Sequence, residues 1–556
     1  MNEVPGTPGM PETPRPPVPP VPPELQGMPP AEPAEPVKRA ILKRPVTIAI
    51  ISMVAVVALA AFIIFPLILT AQGDAGSTTV ATKLPEEPKG TATDFEKQQP
   101  NWQSCGTGMQ CADVYAPLDW KDPSGEKITL HMVKQPAKNG KPIGSLFVNP
   151  GGPGASGADF VLDSVNSAVE PAVQQQYDVI GWDPRGVGKS TPVTCLDAAG
   201  MDKYLFGVSP ADGLTEGSDE WIAAAEKESA DFGAACAKSS GALLGHVSTA
   251  STVQDLNMMR AIVGDPKLNY LGYSYGTYIG ARFADAYPDK VGRLVLDGAM
   301  DPTTSLGEVV REQTLGFEQA LRAYVTDCLK RSNCPLSGSV DEAMASIGSL
   351  LDGVDAKPLK GSDGRMFTSG TMLTAIITPL YSQSNWPYLD QLFTSVADGN
   401  ADVGLSLADF YYDRENGKYT SNSTEAFSAI NCLDYPSDID ADRMRKEAAE
   451  LAKIAPTIGR FQGYGDLGCA GWPYTGTERT AVKAKGADPI LVVGTTGDPA
   501  TPYRWAESLT KQLDSGVLLT YEGEGHTAYG SNACVNDAVD AYLLKGTVPP
   551  EGTRCK

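Results

Sequence analysis

Short apolar runs, each closed by glycine, proline or a polar turn, recur along this chain. They are GSLFVNP (144–150), YDVIGWD (177–183), LNYLGYS (268–274), GRLVLDG (292–298), PILVVGTTGD (489–498) and GVLLTYEGEGH (516–526). Runs of this length without polar alternation predict strands buried on both faces. Between several of them the period changes to that of a helix, as in TVQDLNMMRAIVG (252–264) and GTYIGARFADAYP (276–288). Strands alternating with helices predict a mostly parallel sheet with helices on both sides. Upstream, CADVYAPLDW and KITLHMVKQP read as two further β segments joined through a DPSG turn. The stretch from about Pro302 to Ala484 breaks the rhythm: it is helix-rich and carries four cysteines. It reads as a helical cap, 303–484, inserted between a first core part, 101–302, and a second, 485–556. No internal repeat is evident.

The pattern at the N-terminus is of another kind. Val46 to Leu69 is apolar without one charge. At about 1.5 Å per residue it reaches about 36 Å, enough to cross a hydrocarbon core of about 30 Å. It predicts one transmembrane helix, 46–69. Lys38, Arg39, Lys43 and Arg44 precede it, and Asp74 is the first charge beyond. The positive-inside rule puts the N-terminus in the cytoplasm and everything past Leu69 outside, anchored in the cell membrane. The alternative is a signal that is cleaved to release a secreted protein, although TAQGDAGS offers a poor cleavage site. Residues 1–45 form a proline-rich cytoplasmic tail: 14 of the first 36 residues are Pro. Such a tail is extended and builds no core. It serves as a spacer or as the ligand of a proline-binding partner. Residues 70–100 form a linker.

All ten cysteines lie beyond the apolar span, and an even count in an exported domain reads as disulfides. Neighbours in order give 105–111, 195–236, 328–334, 432–469 and 534–555. With three His and no C-x-x-C, a metal site is not expected. The net charge of −22 argues against nucleic acid as the main partner, because phosphate binding needs a basic face.

Chemistry gathers at the carboxyl ends of strands in such sheets. Gly272-Tyr273-Ser274-Tyr275-Gly276 is a G-x-S-x-G between a strand and a helix, where a nucleophile elbow sits. Serine needs a base. Of His131, His246 and His526, only His526 follows the last strand and precedes the final helix. Asp498, ending PILVVGTTGD, completes the order Ser…Asp…His, with Asp297 and Asp301 as rivals for the acid. Asn149-Pro150-Gly151-Gly152-Pro153-Gly154 brings backbone close to a substrate, so the N–H groups of Gly152 and Tyr275 are candidate oxyanion donors. Gly152 to Gly157 also fits G-x-G-x-x-G, with Asp178 downstream, but Pro153 removes an N–H that a phosphate loop needs. In DPRGVGKS, Asp183 and Arg185 are expected to pair and pin a turn.

Together, NPGGPG, GWDPRGVGKS, GYSYGT, GDPATP and GEGHTAY resemble the secreted bacterial tripeptidyl aminopeptidases, α/β-hydrolases grouped with the prolyl iminopeptidases. The resemblance runs from about Asn101 to the C-terminus. It implies an α/β-hydrolase fold with a helical cap, no cofactor, release of short peptides from free N-termini, and Ser274, Asp498 and His526 as the triad. Prolyl iminopeptidases usually show HGGPG where this chain has Asn149 and Pro150 before the glycines. Envelope carboxylesterases share the pattern, so a lipid or small-ester substrate is the alternative, and a hydrolase fold that only binds is a third. An aminopeptidase must hold an ammonium group, for which Glu308, Glu312 and Asp434 are candidate carboxylates. Thr501, three residues past Asp498, is either a hydrogen-bond partner within the site or a helix N-cap.

Overall fold

The computed structural model describes residues 82–556 apart from 208 and 212; the apolar span 46–69 and the tail lie outside the described residues. Among the described residues no helix is long and apolar enough to cross a membrane. One sheet organises the chain. Its strands are β1 (Gln103–Gly106), β2 (Met109–Pro117), β3 (Lys127–Gln135), β4 (Ser145–Asn149), β5 (Asp178–Trp182), β6 (Leu268–Tyr273) and β7 (Val291–Asp297). Two small hairpins follow, β8 (Leu359–Lys360) with β9 (Met366–Phe367) and β10 (Arg414–Glu415) with β11 (Lys418–Tyr419). The sheet resumes with β12 (Ile490–Gly497), β13 (Gly516–Glu524) and β14 (Arg554–Cys555). The strand order is β1-β2-β3-β5-β4-β6-β7-β12-β13-β14. From β5 to β14 every pairing is parallel, while β1, β2 and β3 form an antiparallel wing on β5.

Residue alternation explains why the central strands lack polar positions. Phe147, Tyr270, Leu294, Leu296 and Val492 join one core, and Leu146, Val148, Leu271, Val295 and Val493 join the other. Each such side chain contributes roughly 1.5–3 kcal/mol when fully removed from water. Helices Gly157–Ala168 and Ala533–Lys545 close the second core through Val161, Val165, Val535 and Val539. The first core is larger. It takes in helices Thr249–Ile262 and Tyr275–Ala286 and continues without a break into the helices between β7 and β12.

Those helices, from Leu306–Cys328 to Ala441–Ile454, form the helical cap. They share it with a segment that precedes β6. Helix Asp219–Ser240 places Trp221, Ile222 and Ala225 against Met444, Tyr464 and Leu467. Arg414 of the cap pairs with Asp202, and Arg445 donates to the Gly217 carbonyl at 2.6 Å. The cap is therefore built from two stretches of chain rather than from the insertion alone. The disulfides are Cys105–Cys111, Cys195–Cys236, Cys328–Cys334, Cys432–Cys469 and Cys534–Cys555, the neighbours-in-order pairing.

Candidate active site

Strand β6 ends at Tyr273, and Ser274 turns the chain into helix Tyr275–Ala286 at φ 54° and ψ −125°. That conformation is costly for a residue with a Cβ, and surrounding packing holds it. A Cβ on Gly272 would lie 2.5 Å from the Gly276 carbonyl oxygen, so only glycine permits this close turn. The Ser274 N–H donates to the Asp297 carbonyl at 2.9 Å, and the Thr277 hydroxyl donates to the Ser274 carbonyl at 2.6 Å. Ser274 itself is nearly buried.

Asp498 follows β12 and collects donors from several directions. It accepts from the N–H groups of Ala500 and Thr501 at 2.9 and 2.8 Å and from the Thr501 hydroxyl at 2.9 Å. His526 Nδ1 lies 2.9 Å from both of its carboxylate oxygens. The histidine is held elsewhere too: its backbone N–H donates to the Tyr381 carbonyl at 2.8 Å, and the two rings meet edge to face. With Nδ1–H turned to Asp498, Nε2 is the basic nitrogen.

Asp297, at the end of β7, joins the two halves. Its backbone carbonyl holds Ser274, and its carboxylate accepts from the N–H groups of Ala528 at 3.0 Å and Tyr529 at 2.8 Å, just beyond His526. A Cβ on the next residue, Gly298, would stand 3.1 Å from His526 Cε1. Serine and imidazole are thus held by adjacent residues, the serine backbone by Asp297 and the ring beside Gly298. Burial pushes the Asp297 carboxyl up to about 6, against the pull of the Tyr529 and Ala528 N–H groups.

The glycine loop after β4 packs onto the elbow. A Cβ on Gly151 would lie 2.9 Å from Ser274 Cβ and 3.1 Å from the Tyr275 nitrogen. Gly152 has φ 106°, a conformation that favours glycine, and precedes a cis bond to Pro153. The loop so brings the backbone of Gly151 beside Ser274 and Tyr275, with Gly152 next in the chain.

The remaining sequence candidates find other places. His131 bonds to Asp113 at 2.6 Å on the antiparallel wing, and the His246 carbonyl accepts from Arg185. Asp301 accepts from Thr303 and Gln512, away from the imidazole. Glu308 closes a capping box with Ser305. Glu312 accepts from Trp505 Nε1 and pairs with Arg504 at 2.9 Å. Asp434 is buried and accepts from the N–H and hydroxyl of Thr249. All three carboxylates proposed for a substrate ammonium are thus already engaged by donors of the chain itself. Thr501 is a hydrogen-bond partner of Asp498, and the helix that follows is capped at Pro502 without a side-chain bond. The expected Asp183–Arg185 pair is not formed. Arg185 forks onto Asp255 at 2.7 Å, and Asp183 accepts from Ser156 and the Lys189 N–H. Asp178 accepts from the Ala137 N–H, and Ser156 caps the helix that follows the glycine loop. Among the described residues no group of His, Cys, Asp and Glu is arranged to hold a metal ion.

The chain is similar to known hydrolases. Residues 455–555 match the family model described as TAP-like protein. The chain is 37% identical to serine protease Hip1 of Mycobacterium tuberculosis, over 81% of this chain and 87% of that protein. It is 34% identical to carboxylesterase B of the same organism, over 82% and 90%. It is 29% identical to the tripeptidyl aminopeptidase of Streptomyces lividans, over 82% and 86%.

Proposed function

The chain belongs to the TAP-like α/β-hydrolase family of serine hydrolases, and from that premise we propose that it is an aminopeptidase releasing short peptides, tripeptides among them, from free N-termini. His526 Nε2 takes the Ser274 proton as Oγ attacks the scissile carbonyl. The N–H groups of Gly152 and Tyr275 receive the oxyanion. His526 then gives its proton to the leaving amine, and water, activated by the same nitrogen, frees the peptide from Ser274. Asp498 holds the imidazole and stabilises its charged form.

The observation that carries the peptidase reading is the likeness to serine protease Hip1 and to a tripeptidyl aminopeptidase, each over more than four fifths of this chain. The kinship with carboxylesterase B supports an ester substrate as the second reading. In our reading the catalytic domain lies outside the cell, held by the span 46–69 with the N-terminus in the cytoplasm; the five disulfides support an exported domain.

The test uses the full-length protein with Ser274→Ala as control. It compares an Ala-Pro-Ala chromogenic amide, its N-acetylated twin and a short-chain aryl ester. Turnover of the free-amine peptide alone is expected. Hydrolysis of the ester with both peptides inert would overturn the peptidase reading and leave the serine hydrolase.

A further inference from the structure

Tyr275 faces two ways. Its N–H opens the helix after Ser274, while its side chain is buried and its hydroxyl bonds to Thr249 Oγ1. Thr249 in turn gives its N–H to Asp434 at 2.9 Å and its hydroxyl proton to the other oxygen of the same carboxylate. A threonine hydroxyl has one proton, and Asp434 takes it, so the Tyr275 hydroxyl must be the donor to Thr249. The chain of bonds therefore runs from Tyr275 through Thr249 to a carboxylate that ends cap helix Ser423–Asp434.

A buried carboxylate needs a counter-charge. Arg479, on the stretch that returns from the cap to β12, supplies it. Its guanidinium carbon lies 3.9 Å from the ring centroids of both Tyr278 and Tyr435. Its three nitrogens are buried and have no hydrogen-bond partner among the described residues. Two rings and the nearby charge hold it, not a carboxylate fork. Burial raises the Asp434 carboxyl, and Arg479 is the largest influence in the opposite direction. Tyr278 belongs to the nucleophile's helix, and Tyr435 follows Asp434 in the cap.

We propose that Asp434 and Arg479 are positioning residues: through Thr249 they fix the Tyr275 side chain and so aim its N–H at the oxyanion, making cap docking a condition of catalysis. This rests on the reading of Ser274 as nucleophile. The test measures kcat, KM, the rate of fluorophosphonate labelling and the melting temperature of the full-length protein, using whichever of the amide and ester substrates the wild type turns over. Tyr275→Phe is expected to lower kcat and the labelling rate together, by about tenfold, with KM within about twofold. Arg479→Met is expected to do the same, and Arg479→Lys to recover part of the loss, because it restores charge without the planar stack. If the variants lower the melting temperature while kcat per labelled molecule stays at the wild-type value, the network is merely structural and the proposal fails. If Ser274→Ala remains active, the nucleophile reading fails and takes this one with it. If Ser274→Ala is dead and Tyr275→Phe equals the wild type, only the positioning proposal fails.

Discussion

Neighbouring parallel strands β7 and β12 each lead into a buried aspartate, and both carboxylates reach the loop that carries His526. Their surroundings differ. Asp498 meets the imidazole itself, together with the Thr501 hydroxyl and two backbone N–H groups from its own turn. Asp297 meets backbone, the N–H groups of Ala528 and Tyr529. The same residue type at the ends of two neighbouring strands is thus given two tasks by its donors. One orients a ring that must become charged, and the other fixes the loop on which the ring stands. The number and kind of donors separate the two, as does register: Asp297 pairs with Val493, five residues before Asp498.

The largest effect should come from removing the charge that faces the ring. Asp498→Asn keeps the shape but presents an amide to Nδ1, favouring the wrong tautomer. Turnover should fall by about 10⁴ with the fold unchanged. Steady-state kinetics beside a far-ultraviolet spectrum would show it, and a loss below about tenfold would mean that Asp297 can take over.

A smaller effect is expected at the hydroxyl donor that sets Asp498 apart from Asp297. Thr501→Val removes a hydroxyl bonded to the carboxylate and lying 3.2 Å from His526 Nδ1. A hydrogen bond to a charged group contributes roughly 1.5–3 kcal/mol, so kcat should fall by roughly 10–100-fold. Thr501→Ser keeps the hydroxyl and should stay close to wild type. Equal kinetics for the two variants would remove the hydroxyl from the account.

Much of this was legible in the chain. The parallel strands announce themselves because both faces are buried, which leaves uninterrupted apolar runs bounded by turns. The serine, aspartate and histidine are legible because each stands at the end of such a run. What spacing cannot carry is the partner of a charge. Arg185 and Asp255 meet across 70 positions. Arg479 finds Tyr278 and Tyr435 only once the cap is folded. Helix Asp219–Ser240 has a visible apolar face, but nothing in its own sequence says that the face meets Met444 and Tyr464. Glu308 is different: Ser305-x-x-Glu308 is a capping box that could have been read directly, and it accounts for that carboxylate without a substrate.

The smallest effect on turnover, and the sharpest test of the comparison, belongs to Asp297→Asn. The amide oxygen can still accept from Ala528 or Tyr529, so kcat should change by about threefold or less. Stability should respond to pH instead. The Asp297 carboxyl ionises near 3.8 when unfolded and at about 6 in the folded protein. Between those values the folded state keeps a proton that the unfolded chain has lost. Asp297 therefore favours folding fully below the lower value, and that contribution is lost as pH rises through the upper one. About two units correspond to roughly 3 kcal/mol. The asparagine variant has no proton to lose, so its melting temperature should gain on the wild type as pH is raised from about 4 to about 7. Parallel melting curves across that window would mean that the carboxyl is ionised throughout, and that burial distinguishes Asp297 from Asp498 less than their hydrogen-bond partners do.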